Sequence, residues 1–144
     1  MAARLLLFTT LALVACGPSD TMDRGGAAYN GIAPDAAITL SGTEPFWSVR
    51  IEQQPDGTHK ARLSSYENPD GVLFVVTRFA GNNGLGYSGE LDGKVVQIAV
   101  TPGECSDGIS GRLYPFAAMA ALGQKTLLGC AYTDEAPVVQ FGDP

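Results

Sequence analysis

One histidine and three cysteines are all that 144 residues offer for imidazole and thiol chemistry. No CxxC spacing occurs, so the usual zinc and dithiol redox patterns are excluded. Asp70, Asp92 and Asp107 are not closely spaced as the oxygen ligands of a calcium loop are. No metal or other cofactor is implied. Cations are scarce as well, 9 Lys and Arg against 15 Asp and Glu, for a net charge of −6 and a pI near 4.5. Without a surplus of positive charge to neutralise a phosphate backbone, a nucleic-acid partner is excluded. Charged residues reach only 17% while apolar ones make up 45%, which is too apolar for a disordered chain. What is plentiful is turn chemistry, 18 Gly and 9 Pro, too much for a helical bundle. The length suits one domain, and a β-dominated one is expected.

The amino terminus carries the most information. Arg4 precedes an apolar run at residues 5–15, whose 11 residues fall short of the roughly 20 needed to cross a bilayer but suit a secretory signal. The four residues Leu13-Val14-Ala15-Cys16 resemble the bacterial lipobox, in which the cysteine is acylated and becomes the first residue of the mature chain. An ordinary cleaved signal or an uncleaved anchor is the alternative. Two or three acyl chains on Cys16 would exceed the two-signal threshold for stable membrane attachment. The resemblance implies a protein held to the membrane by lipid, and Gly17 after the cysteine implies the outer membrane facing the periplasm, with the inner membrane and the cell surface as alternatives. Removing residues 1–15 takes away Arg4 and no acid, which moves the net charge from −6 to −7.

Assigning Cys16 to lipid leaves Cys105 and Cys130, 25 residues apart, as a candidate disulfide in an oxidising compartment. Closing such a loop contributes about 3 to 3.5 kcal/mol in the chain-entropy picture. A metal or redox site is the competing assignment, and His59 lies far from both cysteines in sequence.

Residues 16–37 show no period and read as the lipidated cysteine followed by a flexible tether. The body is then residues 38–144. Trp47, Val49 and Ile51 alternate with Ser48, Arg50 and Glu52, which marks a half-buried strand over 46–52. A second strand at 60–64 follows the Pro55-Asp56-Gly57 turn. Residues 72–79 form a nearly continuous apolar run, expected of a central strand covered on most of both faces. Strands at 85–91 and 94–101 flank Asp92-Gly93, a favoured hairpin pair. Residues 102–115 read as a polar loop, and 116–122 is ambiguous between strand and helix, taken as strand. Segments 125–132 and 138–141 bring the count to about eight. An all-β antiparallel barrel or meander is the simplest arrangement, because closure removes exposed edges.

Three stretches stand together as a signature: Gly42-Thr43-Glu44-Pro45-Phe46-Trp47, then Cys105-Ser106-Asp107-Gly108-Ile109-Ser110-Gly111-Arg112-Leu113-Tyr114-Pro115-Phe116, then Leu128-Gly129-Cys130-Ala131. They resemble an uncharacterised family of small bacterial lipoproteins, with Ile109 where that family usually has Met. The resemblance spans 38–131 and implies fold and location but no activity. Within it, Glu44 and Trp47 form a candidate binding lip, or else a turn cap and a barrel plug. Asp107, Ser110, Arg112 and Tyr114 form a candidate polar binding loop. There, Asp107 could instead close an Asx-turn and Arg112 pair with a nearby carboxylate. Arg112 alone has a fork suited to carboxylate or phosphate.

The expected function is a non-catalytic binding or structural module in the envelope, anchored to the membrane, with an envelope protein or a small ligand as partner. An alternative is an inhibitor of a cationic host enzyme such as lysozyme, drawn in by the acidic body. Tyr87-Ser88-Gly89-Glu90 only loosely resembles the Ser-Gly loop of small barrel inhibitors. An enzyme is disfavoured. His59 with Ser64 or Ser65 lacks a nucleophile elbow, and Gly81-Asn82-Asn83-Gly84 joins two strands and does not open a helix.

Overall fold

The computed structural model describes residues 24–142. The signal-like run, the lipobox, Cys16 and Gly17 lie outside the described residues. Regular structure among the described residues is β alone. The strands are β1 Ile38–Thr43, β2 Phe46–Gln53, β3 His59–Ser65, β4 Val72–Ala80, β5 Leu85–Leu91, β6 Lys94–Ser106, β7 Arg112–Leu122, β8 Lys125–Thr133 and β9 Val139–Gln140. Every pairing is antiparallel, in the order β6-β5-β4-β3-β2-β1-β8-β7, and β6 also pairs with β7. The sheet is therefore a closed eight-stranded barrel. The short β9 adds to the start of β7 through Arg112 and Leu113.

Alternation decides the inside. Leu40, Trp47, Val49, Ile51, Ala61, Phe74, Val76, Leu85, Tyr87, Val96, Ile98, Val100, Phe116, Ala118, Ala120 and Ala131 fill the barrel core. Interior positions of an eight-stranded barrel are just wide enough to be filled by side chains, and here the small Ala118, Ala120 and Ala131 share the interior with the large Trp47, Phe116 and Tyr87.

The expected barrel is present, but four local expectations need correction. A strand not foreseen, β1, begins the barrel: Ile38, Leu40 and Gly42 point inward, and its short ITLSGT text carries too weak an alternation to stand out. Strand β4 is covered on one face only. Phe74, Val76 and Arg78 point inward, while Leu73, Val75 and Phe79 are about half exposed on the outer wall. In register beside them stand Arg62 and Lys60, whose methylene stems suit such a neighbourhood. The supposed loop 102–115 is mostly strand. An irregularity between Pro102 and Cys105, with Gly103 at φ 148°, leaves one extra residue on β6, and the ladder resumes at Cys105 opposite Tyr114. That bend takes the long hairpin across the outer wall to Cys130, and Cys105 and Cys130 form a disulfide with Cα atoms 5.7 Å apart.

The fourth correction concerns the tether. Residues 24–36 are docked on the barrel and seal one end of it. Ile32 belongs to the core, and Tyr29 and Ala36 pack against it. The Arg24 carbonyl accepts from the Ala80 amide at 2.7 Å, and the Arg24 guanidinium lies over the Phe79 ring. Arg78, 3% exposed, donates to the carbonyls of Gly25, Ala27 and Ile32. A glycine-rich stretch without period looked like a linker because what holds it is its own backbone carbonyls, which leave no side-chain pattern.

Candidate functional site

The three signature stretches converge, and packing explains much of their spelling. Gly42 of β1 stands opposite Trp47 of β2, and Ser41 stands opposite Cys130 of β8. The Trp47 indole lies across Gly42 and Gly129 and donates its Nε1–H to the Leu128 carbonyl at 3.2 Å. A Cβ on Gly42 would come within 2.2 Å of that nitrogen, and one on Gly129 within 2.0 Å of the Ser41 carbonyl oxygen. Only glycine fits either place, so the first and third stretches are written around one buried ring.

The second stretch folds its tip over the same neighbourhood. Asp107 accepts from the Ile109 and Ser110 amides at 3.0 and 2.9 Å and from the Ser110 hydroxyl, which is the Asx-turn that sequence allowed. The Tyr114 hydroxyl donates at 3.4 Å to Asp107 Oδ2, the oxygen that the Ser110 hydroxyl also reaches, while the two amides share Oδ1. The Ser110 hydroxyl first, then the two amides, hold the Asp107 carboxyl down at about 2. Between this tip and the wall runs a groove of about 520 Å³, lined by Glu44, Asp107, Ile109, Leu128 and Gly129 among others.

Of the six expected binding residues, this groove brings together Glu44 and Asp107. Ser110 and Tyr114 support Asp107 from behind. Trp47 belongs to the barrel interior, 2% exposed. Arg112 sits exposed at the start of β7, beside β9. The carboxylate partner that sequence allowed for it does not occur among the described residues. Arg50 with Glu52 is the one ion pair recorded among the described residues.

A second concavity escaped the sequence reading. At the end of the barrel opposite residues 24–36, the β1–β2, β3–β4 and β7–β8 connections surround an open cup of about 440 Å³. That volume falls within the range of small-molecule sites, and barrel mouths are among their preferred places. Trp47, Leu63, Leu122 and Leu127 give it apolar walls, and Phe46 and Tyr66 stand on its rim with ring centroids 5.1 Å apart. Glu67 and Lys125 also line it. The readable signal was Phe46 beside Trp47: adjacent strand residues face opposite ways, so one of two neighbouring aromatics had to be left outside.

Groups considered for acid–base work have structural duties. His59 is buried, and its Nε2 donates to the Pro34 carbonyl at 2.8 Å, which occupies that nitrogen with a proton. Ser64 lies five residues along the same strand, roughly 16 Å away at strand rise, beyond reach of the imidazole. Burial pushes the Tyr87 hydroxyl above its ordinary range despite the nearby Arg78 charge. No group of three or more metal-binding side chains occurs among the described residues. Comparison with protein-family models, curated proteins and solved structures found no match to this chain.

Proposed function

We propose that the chain is a lipid-anchored cell-envelope protein whose barrel is a non-catalytic binding module, with the mouth cup as its binding site. The observation that carries the binding reading is the contrast between a filled interior and one open, apolar, aromatic-rimmed cavity at its end. A barrel built only as a spacer gains nothing from leaving Tyr66 84% exposed beside such a hollow.

The anchor rests on the lipobox-like Leu13-Val14-Ala15-Cys16, and Gly17 favours the outer membrane facing the periplasm. Eight peptide units separate Cys16 from Arg24, and they span at most about 28 Å. Arg24 is fixed beside Ala80 at the sealed end. An acylated Cys16 would therefore hold the sealed end toward the membrane and turn the mouth away from it.

Two measurements test this. Intact-protein mass spectrometry of the native chain should give a mature protein that begins at Cys16 and carries acyl chains. An unacylated product retaining residues 1–15 would sink the anchor. A photoreactive residue in place of Tyr66, illuminated in intact cells, should acquire a discrete adduct, whereas the same residue in place of Val75 on the outer wall should not. Equal labelling at both positions, or none, would count against the binding module.

A second reading, an inhibitor of a cationic host enzyme such as lysozyme, draws support from the mature charge of −7 and from the acidic groove of Glu44 and Asp107. Inhibition should appear at low salt and fade as salt rises. Unchanged lysozyme activity at low salt dismisses it.

A further inference from the structure

The lining of the mouth narrows the kind of ligand, and this inference rests on the binding-module reading above. We infer that the cup takes a small zwitterionic amphiphile, one short alkyl chain seated in the barrel mouth with its two head-group charges between Lys125 and Glu67.

Size sets the first limit. At about 30 Å³ for each water-sized unit, 440 Å³ holds roughly fifteen such units, enough for one short chain and too little for a two-chain lipid. Chemistry sets the second. Trp47, Leu63, Leu122 and Leu127 offer the cavity only an indole N–H, already given to Leu128, and the Ser65 hydroxyl beside Trp47 already accepts from the Asn68 amide at 3.3 Å. Against these walls hydrocarbon is the favoured buried part of a ligand, since a polar group left unpaired there would cost its desolvation.

The rim sets the third limit. Lys125 and Glu67 both line the cup, yet no ion pair joins them. Among the described residues neither charge has an ion-pair partner within 4.0 Å. A head group carrying an anion and a cation a few bonds apart supplies both at once, while an anionic or cationic head would meet one attraction and one repulsion. The paired rings of Phe46 and Tyr66 complete the rim with two faces suited to a quaternary ammonium or a methylene chain. Ligand has one way in, because residues 24–36 and Arg78 close the far end.

Trp47 is the single tryptophan of the chain and lines the cup, so its emission reports occupancy directly. The purified full chain, kept with phosphatidylglycerol nanodiscs, is titrated with octylphosphocholine below its micellar range, and in parallel with octanoate and with octyltrimethylammonium. We expect a saturable shift of Trp47 emission with octylphosphocholine and weaker binding of both singly charged probes. Tyr66→Ala, at an exposed position that cannot threaten the fold, should weaken binding about fivefold. Lys125→Gln combined with Glu67→Gln should abolish the preference among the three probes, and Val75→Ser on the outer wall should change nothing.

A response that never saturates, or one identical in Tyr66→Ala, overturns the inference. Tighter binding of either singly charged probe overturns the head-group assignment. If Trp47 stays silent while the photoreactive group at position 66 still captures an adduct in cells, this inference fails and the binding module stands. If both are silent, both fall.

Discussion

The two ends of this barrel solve opposite problems. At one end an arginine lies inside the sheet with no carboxylate partner among the described residues, and the chain spends three backbone carbonyls, those of Gly25, Ala27 and Ile32, on that single guanidinium. At the other end aliphatic and aromatic side chains stop short of closing the hollow, and Tyr66 is left in solvent. A polar interior that is covered demands partners, since each unsatisfied group costs desolvation. An apolar interior left uncovered demands a visitor or wastes surface. The sealed end is therefore read as the stabilising one and the open end as the working one.

That division is most directly broken at Arg78. Replacing Arg78 with Leu removes every donor those three carbonyls have from this side chain, and should destabilise the protein by about 3 to 5 kcal/mol. Urea unfolding gives the total. Amide exchange at Ala80, which donates to Arg24, should quicken in the variant because residues 24–36 lose their hold. Unchanged exchange there would mean that the segment is held by Ile32 alone and that the buried arginine serves something else.

Between the ends lies the pinned hairpin, and it sharpens the comparison by belonging to neither. Breaking the Cys105–Cys130 bond by substituting both cysteines with serine should cost about 3 kcal/mol, as expected for a 25-residue separation. Amphiphile binding at the mouth should survive under conditions where the variant remains folded, because no cup residue lies in the distal part of that hairpin, residues 102–116. A smaller loss is expected at the cup wall. Trp47→Phe forfeits the hydrogen bond to Leu128 and leaves a modest void, for about 1 to 2 kcal/mol by thermal unfolding.

How far the sequence reached follows the same physical divide. Alternation with an obvious turn revealed β2 and β3, because side chains there declare their face. Segment 72–79 looked doubly covered, since nothing in Val72-Leu73-Phe74-Val75-Val76 distinguishes an outer wall of exposed Leu73 and Val75 from an inner one. Residues 24–36 misled for a different reason: their ties run through carbonyls, which every residue has. The signature stretches were visible as words, but their meaning came from Gly42 and Gly129 meeting the Trp47 ring, a contact between strands 81 residues apart in sequence. The cup was least legible, because Phe46, Tyr66 and Lys125 stand at three separate connections that only closure of the barrel brings to one mouth.

The gentlest test concerns Asp107, whose loop touches neither end. Its carboxyl titrates at about 2 in the folded protein against 3.8 for the free group, held down first by the Ser110 hydroxyl and then by the Ser110 and Ile109 amides. A folded-state value below the unfolded one means that the ionised form is the stabilising form. The contribution is thus complete above about pH 4 and is lost as pH falls toward about 2. Asp107→Asn should therefore flatten the acid limb of the stability curve in that interval, while leaving the neutral-pH Trp47 response to amphiphile intact. Because Tyr114 and Ser110 both lean on this carboxylate, a steep acid limb that persists in the variant would shift the acid sensitivity to other carboxylates and reduce the loop to a passive cover over the disulfide.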